Sequence, residues 1–202
     1  MKKVLVTGFE PFDGQLINPS LEAIKKLNSF MFDAEIHILA VPTVFDESVR
    51  VVKHAIDQIK PDVVMLVGQA GGRKEISIER IAINIDDASI PDNLGNKPIN
   101  QPIIKDGNNA YFSTLPIHKM VDHLRVNHLP ASISNTAGTY VCNHLMYGIL
   151  NYISSNKQNI LAGFIHVPFL HEQVINQSIF SMSLEEITKA ISLCIEVAIK
   201  EL

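Results

Sequence analysis

The chain has little from which a covalent scaffold could be built. Two cysteines in 202 residues, Cys142 and Cys194, do not make a disulfide framework and fit a reducing compartment. Charge is also sparse. Charged residues make up 19% against 47% hydrophobic, which excludes a disordered chain and fits a globular one. Positive charge is not in excess, and a formal net charge of −4 gives no electrostatic basis for binding nucleic acid. No apolar run reaches the roughly 20 residues of a membrane-spanning helix. The first run, Val4-Leu5-Val6, stops at Gly8-Phe9-Glu10, too soon for the apolar core of a secretory signal. The expected compartment is therefore the cytoplasm. No repeat, low-complexity segment or linker divides the chain, so one domain over residues 1–202 is expected.

Strand-like and helix-like segments alternate. Val4-Leu5-Val6 reads as a buried strand. A Gly/Pro loop follows, then a helix capped by Asn18 with Pro19 in its first turn. Ala34–Val41 reads as a second strand. Phe45–Ile59 reads as a helix with Phe45, Val49, Val52, Ile56 and Ile59 on one face. Val63-Val64-Met65-Leu66-Val67-Gly68 is continuously apolar, as expected of a strand buried on both faces. Ile76–Ile83 and Ile160–Ile165 are further strand candidates, and Pro116–His128 is a helix candidate. Ser183-Leu184-Glu185-Glu186 is a capping box opening the last helix. Ile85–Gly107, rich in Asp, Asn, Pro and Gly, reads as a long loop, which in a compact domain points to function or flexibility. The alternation predicts an α/β fold: an α/β/α sandwich whose mostly parallel central sheet is covered by helices on both faces. Ligands of such sheets bind beyond the carboxyl ends of the strands. Thr7-Gly8-Phe9, Gly68–Arg73 and His166-Val167-Pro168 are those ends here.

Cys142 is the residue with most chemical promise. It follows the short strand candidate Ala131–Ser134 and precedes Met146, Ile149, Leu150 and Ile153 at helical spacing. A cysteine at a helix mouth meets unpaired N–H groups and the positive end of the helix dipole, which favour the thiolate. Those N–H groups can also hold an oxyanion. Cys194 lies on the apolar stripe Leu184, Ile187, Ile191, Cys194, Ile195, Ala198 and reads as inert core. A nucleophilic thiol needs a base and a group to orient that base. Of eight histidines, His166 ends an apolar strand where active-site groups collect, whereas His144, two positions from Cys142 on a helix, faces elsewhere. Alternation in Ile76–Ile83 puts Ser77, Glu79, Ile81 and Ile83 on one face. By itself that pattern fits an edge strand whose Glu79 is merely solvated. Gly68-Gln69-Ala70-Gly71-Gly72-Arg73 lacks the Lys-Ser/Thr end of a P-loop and the dinucleotide spacing, so it reads as a tight turn. His166 and His171 have no nearby Cys or HExxH partner, leaving a zinc site with little support.

Several blocks occur together in order: Gly8-Phe9-Glu10-Pro11-Phe12-Asp13-Gly14 with Asn18-Pro19; Gly68–Arg73 running into Ser77-Ile78-Glu79-Arg80-Ile81-Ala82-Ile83-Asn84; Ile90-Pro91-Asp92-Asn93-Leu94-Gly95; Ser134–His144 around Cys142; and His166-Val167-Pro168. With them, nearly the whole chain resembles the pyroglutamyl peptidase I family, also called pyrrolidone-carboxylate peptidase. The resemblance implies a cysteine exopeptidase that removes an N-terminal pyroglutamate from peptides. It maps the nucleophile to Cys142, the base to His166 and the orienting carboxylate to Glu79. It puts Phe9 and Phe12 against the lactam ring, with Gln69, Ile90, Tyr140 and Val141 lining the pocket. It further implies no cofactor or metal, a cytoplasmic location and a homotetramer. Two positions depart from the family pattern. Ser89 stands where many members have arginine, and Tyr140 where phenylalanine is common, which adds a polar group at the pocket rim. Two rival readings would have other signatures. A phosphorylase-like transferase would need phosphate and not Cys142, and a non-catalytic relative would bind pyroglutamyl ligands without turnover.

Overall fold

The computed structural model describes residues 1–202. A central sheet carries the strands β1 (Lys3–Phe9), β2 (Glu35–Val41), β3 (Val63–Gln69), β4 (Ile76–Glu79), β7 (Ala131–Ser134) and β8 (Leu161–Val167). Their order is β2-β1-β3-β8-β4-β7. The first four run parallel to one another. β4 lies antiparallel to β8 and parallel to β7. The helices are α1 (Pro19–Lys25), α2 (Glu47–Ile59), α3 (Ile117–Val126), α4 (Val141–Ser155) and α5 (Leu184–Lys200).

Period-two alternation divides the sheet into two faces. Val4, Val6, Met65, Ile78 and Ile165 point to one face and form a core with residues of α1, α3 and α5. Leu5, Val64, Leu66, Ala162 and Phe164 point to the other and pack with residues of α2 and α4. Every residue of β3 is buried, as its unbroken apolar run predicts. The α5 stripe of Ile187, Ile191, Cys194, Ile195 and Ala198 is wholly inaccessible, and Cys194 is core. Asn18 caps α1 by accepting from the Ser20 N–H, and the Ser183–Glu186 capping box opens α5.

Two expectations need correction. Ile76–Ile83 is not one strand. The chain breaks at Arg80, so that β4 joins the main sheet while β5 (Ile81–Ile83) pairs with β6 (Ala110–Phe112) in a separate ribbon. Single-face alternation through Glu79, Ile81 and Ile83 therefore does not hold. The α2 helix begins at Glu47, not Phe45. Asp46 takes a positive φ of 56°, which a helix interior does not admit. Phe45 packs ahead of the helix, its N–H held by Asp92 Oδ2 at 3.0 Å. The short strands β9 (Phe169–Leu170) and β10 (Ser181–Met182) have too few residues to leave a periodic signal.

The 85–107 segment forms no helix or strand beyond a single Asp86–Gln101 bridge, but it is tied down. Asp92 is buried and accepts from the N–H groups of Phe45, Leu94 and Asn96. Burial pushes its carboxyl up, but the hydrogen bonds from Asn96, Phe45 and Leu94 outweigh burial and hold it below the usual range.

Candidate active site

The carboxyl ends of β1, β3 and β8 lie side by side, and α4 starts above them. Cys142 is the second residue of α4, whose N-cap Tyr140 makes no side-chain capping bond. The first-turn N–H groups are thus left without a side-chain partner. Below the thiol the sheet carries a glycine for a steric reason. A Cβ on Gly68 would come to 3.1 Å from Cys142 Sγ and 2.7 Å from Phe164 Cζ. Gly68 is the register partner of His166 on the neighbouring parallel strand, so thiol and imidazole lie over adjacent strands on one face of the sheet.

His166 is 3% exposed, and its Nδ1 lies 2.7 Å from Glu79 Oε1. A carboxylate can only accept, so Nδ1 carries the proton and Nε2 is left as the basic nitrogen. The reversed β4 strand explains how Glu79 gets there. Ser77 is the register partner of His166, and Glu79 that of Phe164. Glu79 therefore sits diagonally below the imidazole, deeper in the sheet, and is 0% exposed. A buried carboxylate is costly without a charged partner. Arg73 supplies one, with Nη1 2.6 Å from the same Oε1 and Nη2 donating to the Thr136 carbonyl at 3.0 Å. The edge-strand picture of a solvated Glu79 is thus replaced by a closed chain of Arg73, Glu79 and His166.

Burial sets the protonation of the pair. It pushes the Cys142 thiol up from its ordinary 9.0 to about 12, with the Glu79 charge adding to the rise and Arg73 opposing it. Burial also lowers His166, more than the hydrogen bond and charge of Glu79 raise it. The pull of the helix mouth toward thiolate is therefore opposed by desolvation. A helix terminus contributes up to about 2 kcal/mol. The change from 9.0 to about 12 corresponds to on the order of 4 kcal/mol, at about 1.4 kcal/mol per tenfold in acidity. Desolvation is the larger effect and favours a neutral thiol with a neutral imidazole, even though Cys142 itself is only half-buried.

The expected pocket residues divide into three groups. Phe12 and Tyr140 are half-buried with ring centroids 6.1 Å apart, and half-buried Ile90 adjoins Pro91, whose carbonyl accepts from the Tyr140 hydroxyl at 3.0 Å. The polar group that distinguishes Tyr140 thus fastens the 85–107 segment to the mouth of α4. Phe9 and Val141 are inaccessible core behind this rim, with Phe9 6.3 Å from the Phe164 ring. The Gln69 side chain belongs to the opposite side. Its Oε1 accepts from Gln173 Nε2 at 2.9 Å, and strand alternation turns it away from Gly68 and His166. Ser89 is exposed.

Sequence reasoning passed over the residues that fasten the site. Asn143 clamps β5 to α4, accepting from the Ile83 N–H and donating to the Ile83 and Ile85 carbonyls. His144 is buried. Its Nε2 accepts from the Asp46 N–H at 3.0 Å, so its Nδ1 is the donor to Asp86 Oδ2 at 2.8 Å. This joins α4 to the start of α2 and to the long segment. The glycine-rich turn after β3 is built for packing and not as a phosphate cradle. A Cβ on Gly71 would collide with the Phe169 ring, and Gly72 has a φ of +83°. The turn delivers Arg73 to Glu79.

A thiol over a parallel sheet, beside an imidazole backed by a buried carboxylate, is the apparatus of a cysteine-dependent hydrolase. The chain belongs to the pyroglutamyl peptidase family, whose family model matches residues 2–201. It is 56% identical over 199 residues to pyrrolidone-carboxylate peptidase 2 of Caldanaerobacter subterraneus subsp. tengcongensis, covering 98% of this chain and 97% of the relative. The crystal structure of pyroglutamyl peptidase I from Bacillus amyloliquefaciens superposes with a TM-score of 0.95 at 46% identity, covering 98% of this chain and 97% of that one. A mutant pyrrolidone carboxyl peptidase from the hyperthermophile Pyrococcus furiosus gives 0.95 at 45% identity, covering 99% of both chains.

Proposed function

We propose that this protein is a cysteine exopeptidase that hydrolyses the amide bond after an N-terminal pyroglutamyl residue, with Cys142 as nucleophile, His166 as general base and acid, and Glu79 as the group that orients His166. The observation carrying this reading is the conjunction of Cys142 over Gly68, the register partner of His166, with the 2.7 Å bond from His166 Nδ1 to Glu79 Oε1.

His166 Nε2 takes the thiol proton as Sγ attacks the pyroglutamyl carbonyl carbon. The carbonyl π pair moves onto oxygen, where first-turn N–H groups of α4 stabilise the charge. As the tetrahedral species collapses, the C–N bond breaks and imidazolium gives its proton to the leaving amine. The thioester is then attacked by water, whose proton passes to His166 and on to the departing thiolate. Pyroglutamic acid and free thiol result. Glu79 accepts from Nδ1–H in every step, which keeps the tautomer and stabilises the transient imidazolium.

Pyroglutamate is a neutral lactam with no free amine. Phe12, Tyr140 and Ile90 offer it an apolar rim, with Phe9 and Val141 as backing, while the Gln69 side chain is held on the opposite face by Gln173. An N-terminal glutamine would bring an ammonium into this slot, where desolvation is costly, so we expect its rejection. No helix is long and apolar enough to cross a membrane. We take the protein to act in the cytoplasm without a cofactor, as one catalytic domain and, following the family resemblance, as a homotetramer.

Release of a fluorescent amine from a pyroglutamyl amide tests the reading. Wild-type turnover abolished by Cys142→Ala is expected. Turnover that survives the substitution, or a folded and reduced wild type without turnover, would refute it.

A further inference from the structure

A cavity of about 380 Å³ opens beside the site, bordered by Gly72, Arg73, Lys74, Ser77, Ser134 and Phe180. It is at the small end of the range for ligand pockets, about 300–1,000 Å³. Its position can be read from the sheet. Ser77 is the register partner of His166 across the β4–β8 pair, and Ser134 that of Glu79 across β4–β7. Their side chains therefore share the face that carries His166 and Phe164. Arg73, which holds Glu79, forms the wall common to the cavity and the Glu79–His166 chain.

The strand order gives the site a direction. The loop after β1 brings Phe12, β3 lies under the Cys142 thiol through Gly68, β8 carries His166, and β4 brings Ser77. Acyl transfer requires the imidazole that takes the thiol proton to lie also within hydrogen-bond reach of the leaving nitrogen. With the lactam held at the Phe12–Tyr140 end, the leaving amine faces His166, and the chain attached to it is directed over β8 toward β4 and β7. That path leads into the cavity.

We propose that this cavity binds the peptide segment immediately following pyroglutamate, and that it selects an apolar side chain there. The assignment rests on the pyroglutamyl peptidase reading above. Its selectivity follows from its lining. Phe180 is 63% exposed, an aromatic ring left open to solvent at the cavity wall. The neighbouring charges do not favour either sign: Arg73 is bound to Glu79, and Lys74 and Glu75 are of opposite charge. An apolar side chain covering Phe180 gains contact area, while a charged one finds no net attraction.

The test compares kcat/KM for pyroglutamyl-leucinamide and pyroglutamyl-glycinamide, and for the corresponding lysine and aspartate amides. The wild type should favour leucine over glycine by about tenfold, the scale of a modest apolar contact in a binding site. Phe180→Ala should bring that ratio close to unity. Lys74→Glu should leave the leucine-to-glycine ratio in place and turn the lysine-to-aspartate ratio several-fold toward lysine. Both substitutions are of exposed side chains. An unchanged leucine-to-glycine ratio in Phe180→Ala, or an unchanged lysine-to-aspartate ratio in Lys74→Glu, overturns the assignment while leaving the peptidase reading intact. A wild type inert toward all four amides overturns both.

Discussion

A neutral resting pair, which burial favours here, has a definite kinetic signature. Burial pushes the Cys142 thiol to about 12 and lowers His166 below its ordinary 6.5. In the free enzyme the productive form is then thiol with neutral imidazole. Its concentration is limited on the acid side by His166 protonation and on the alkaline side by a thiol that titrates beyond the working range. A profile of kcat/KM against pH, which reports the free enzyme, should rise through a single limb below pH 6.5 and stay level to at least about pH 9. An ion pair of thiolate and imidazolium predicts another shape. Its acid limb belongs to a thiol of low pKa, and its alkaline limb to loss of the imidazolium proton, so that activity peaks and falls within the accessible range. The two differ because of the balance worked out above, about 4 kcal/mol of desolvation against up to about 2 kcal/mol from the helix terminus. The assay is initial-rate hydrolysis of a pyroglutamyl amide under pseudo-first-order conditions, paired with the rate of alkylation of Cys142 by iodoacetamide. Alkylation should be slow at neutral pH and keep climbing through pH 9. A bell-shaped profile with fast alkylation at pH 6 would refute the argument from burial.

Glu79→Gln removes the carboxylate charge that raises His166, so the acid limb should move to still lower pH while the plateau falls by roughly ten-thousandfold, the loss of the orienting carboxylate; an unchanged limb and plateau would argue against the orienting role. Gly68→Ala drives a methyl group to 3.1 Å from Cys142 Sγ and 2.7 Å from Phe164 Cζ, and should cost about 1–3 kcal/mol in thermal or denaturant unfolding together with most of the activity, measured on the fraction that remains folded. Asp92 is held below its ordinary 3.8 in the folded chain, so the native state binds fewer protons than the unfolded state between those two values. Its stabilisation is complete above pH 3.8 and is lost as pH falls through the folded value. Urea unfolding of Asp92→Asn should accordingly show a deficit of about 1 kcal/mol or more at pH 7 that shrinks as the pH is taken below 3.8.

What could be read from sequence was whatever depends on neighbours in the chain. The unbroken apolar run of β3, the Asn18 and Ser183 caps and the α5 stripe each specify a local conformation, and the structure has them where the pattern puts them. The positions of Cys142 at a helix start and His166 near a strand end were also legible, because both are local features. Phe9 and Val141 were not distinguishable from rim residues, since their burial depends on Phe164 and the helix above them. The direction in which Gln69 points follows from strand alternation, and could have been deduced once Gly68 was assigned to the face below the thiol.

Glu79 is the instructive case. Read as part of one alternating strand from Ile76 to Ile83, it falls on a mixed face and looks solvated. The information against that reading lay in the connection. Only Ala70–Glu75 separates β3 from β4, and a parallel crossover takes a dozen or more residues. A strand returning to the same sheet after so short a link must run the other way. Reversal carries the chain from the mouth of the site back into the sheet, so that a carboxylate three positions into the strand arrives below His166 and not beside the solvent. There it needs a cation, and the same short link supplies Arg73 at 2.6 Å. The link that fixes the strand's direction thus also carries the charge that makes burial of Glu79 tolerable. A longer link would relax both constraints at once, which is the physical reason to expect that insertions between Gly72 and Glu75 are more damaging than insertions at the exposed turn Asn156–Lys157 that follows α4.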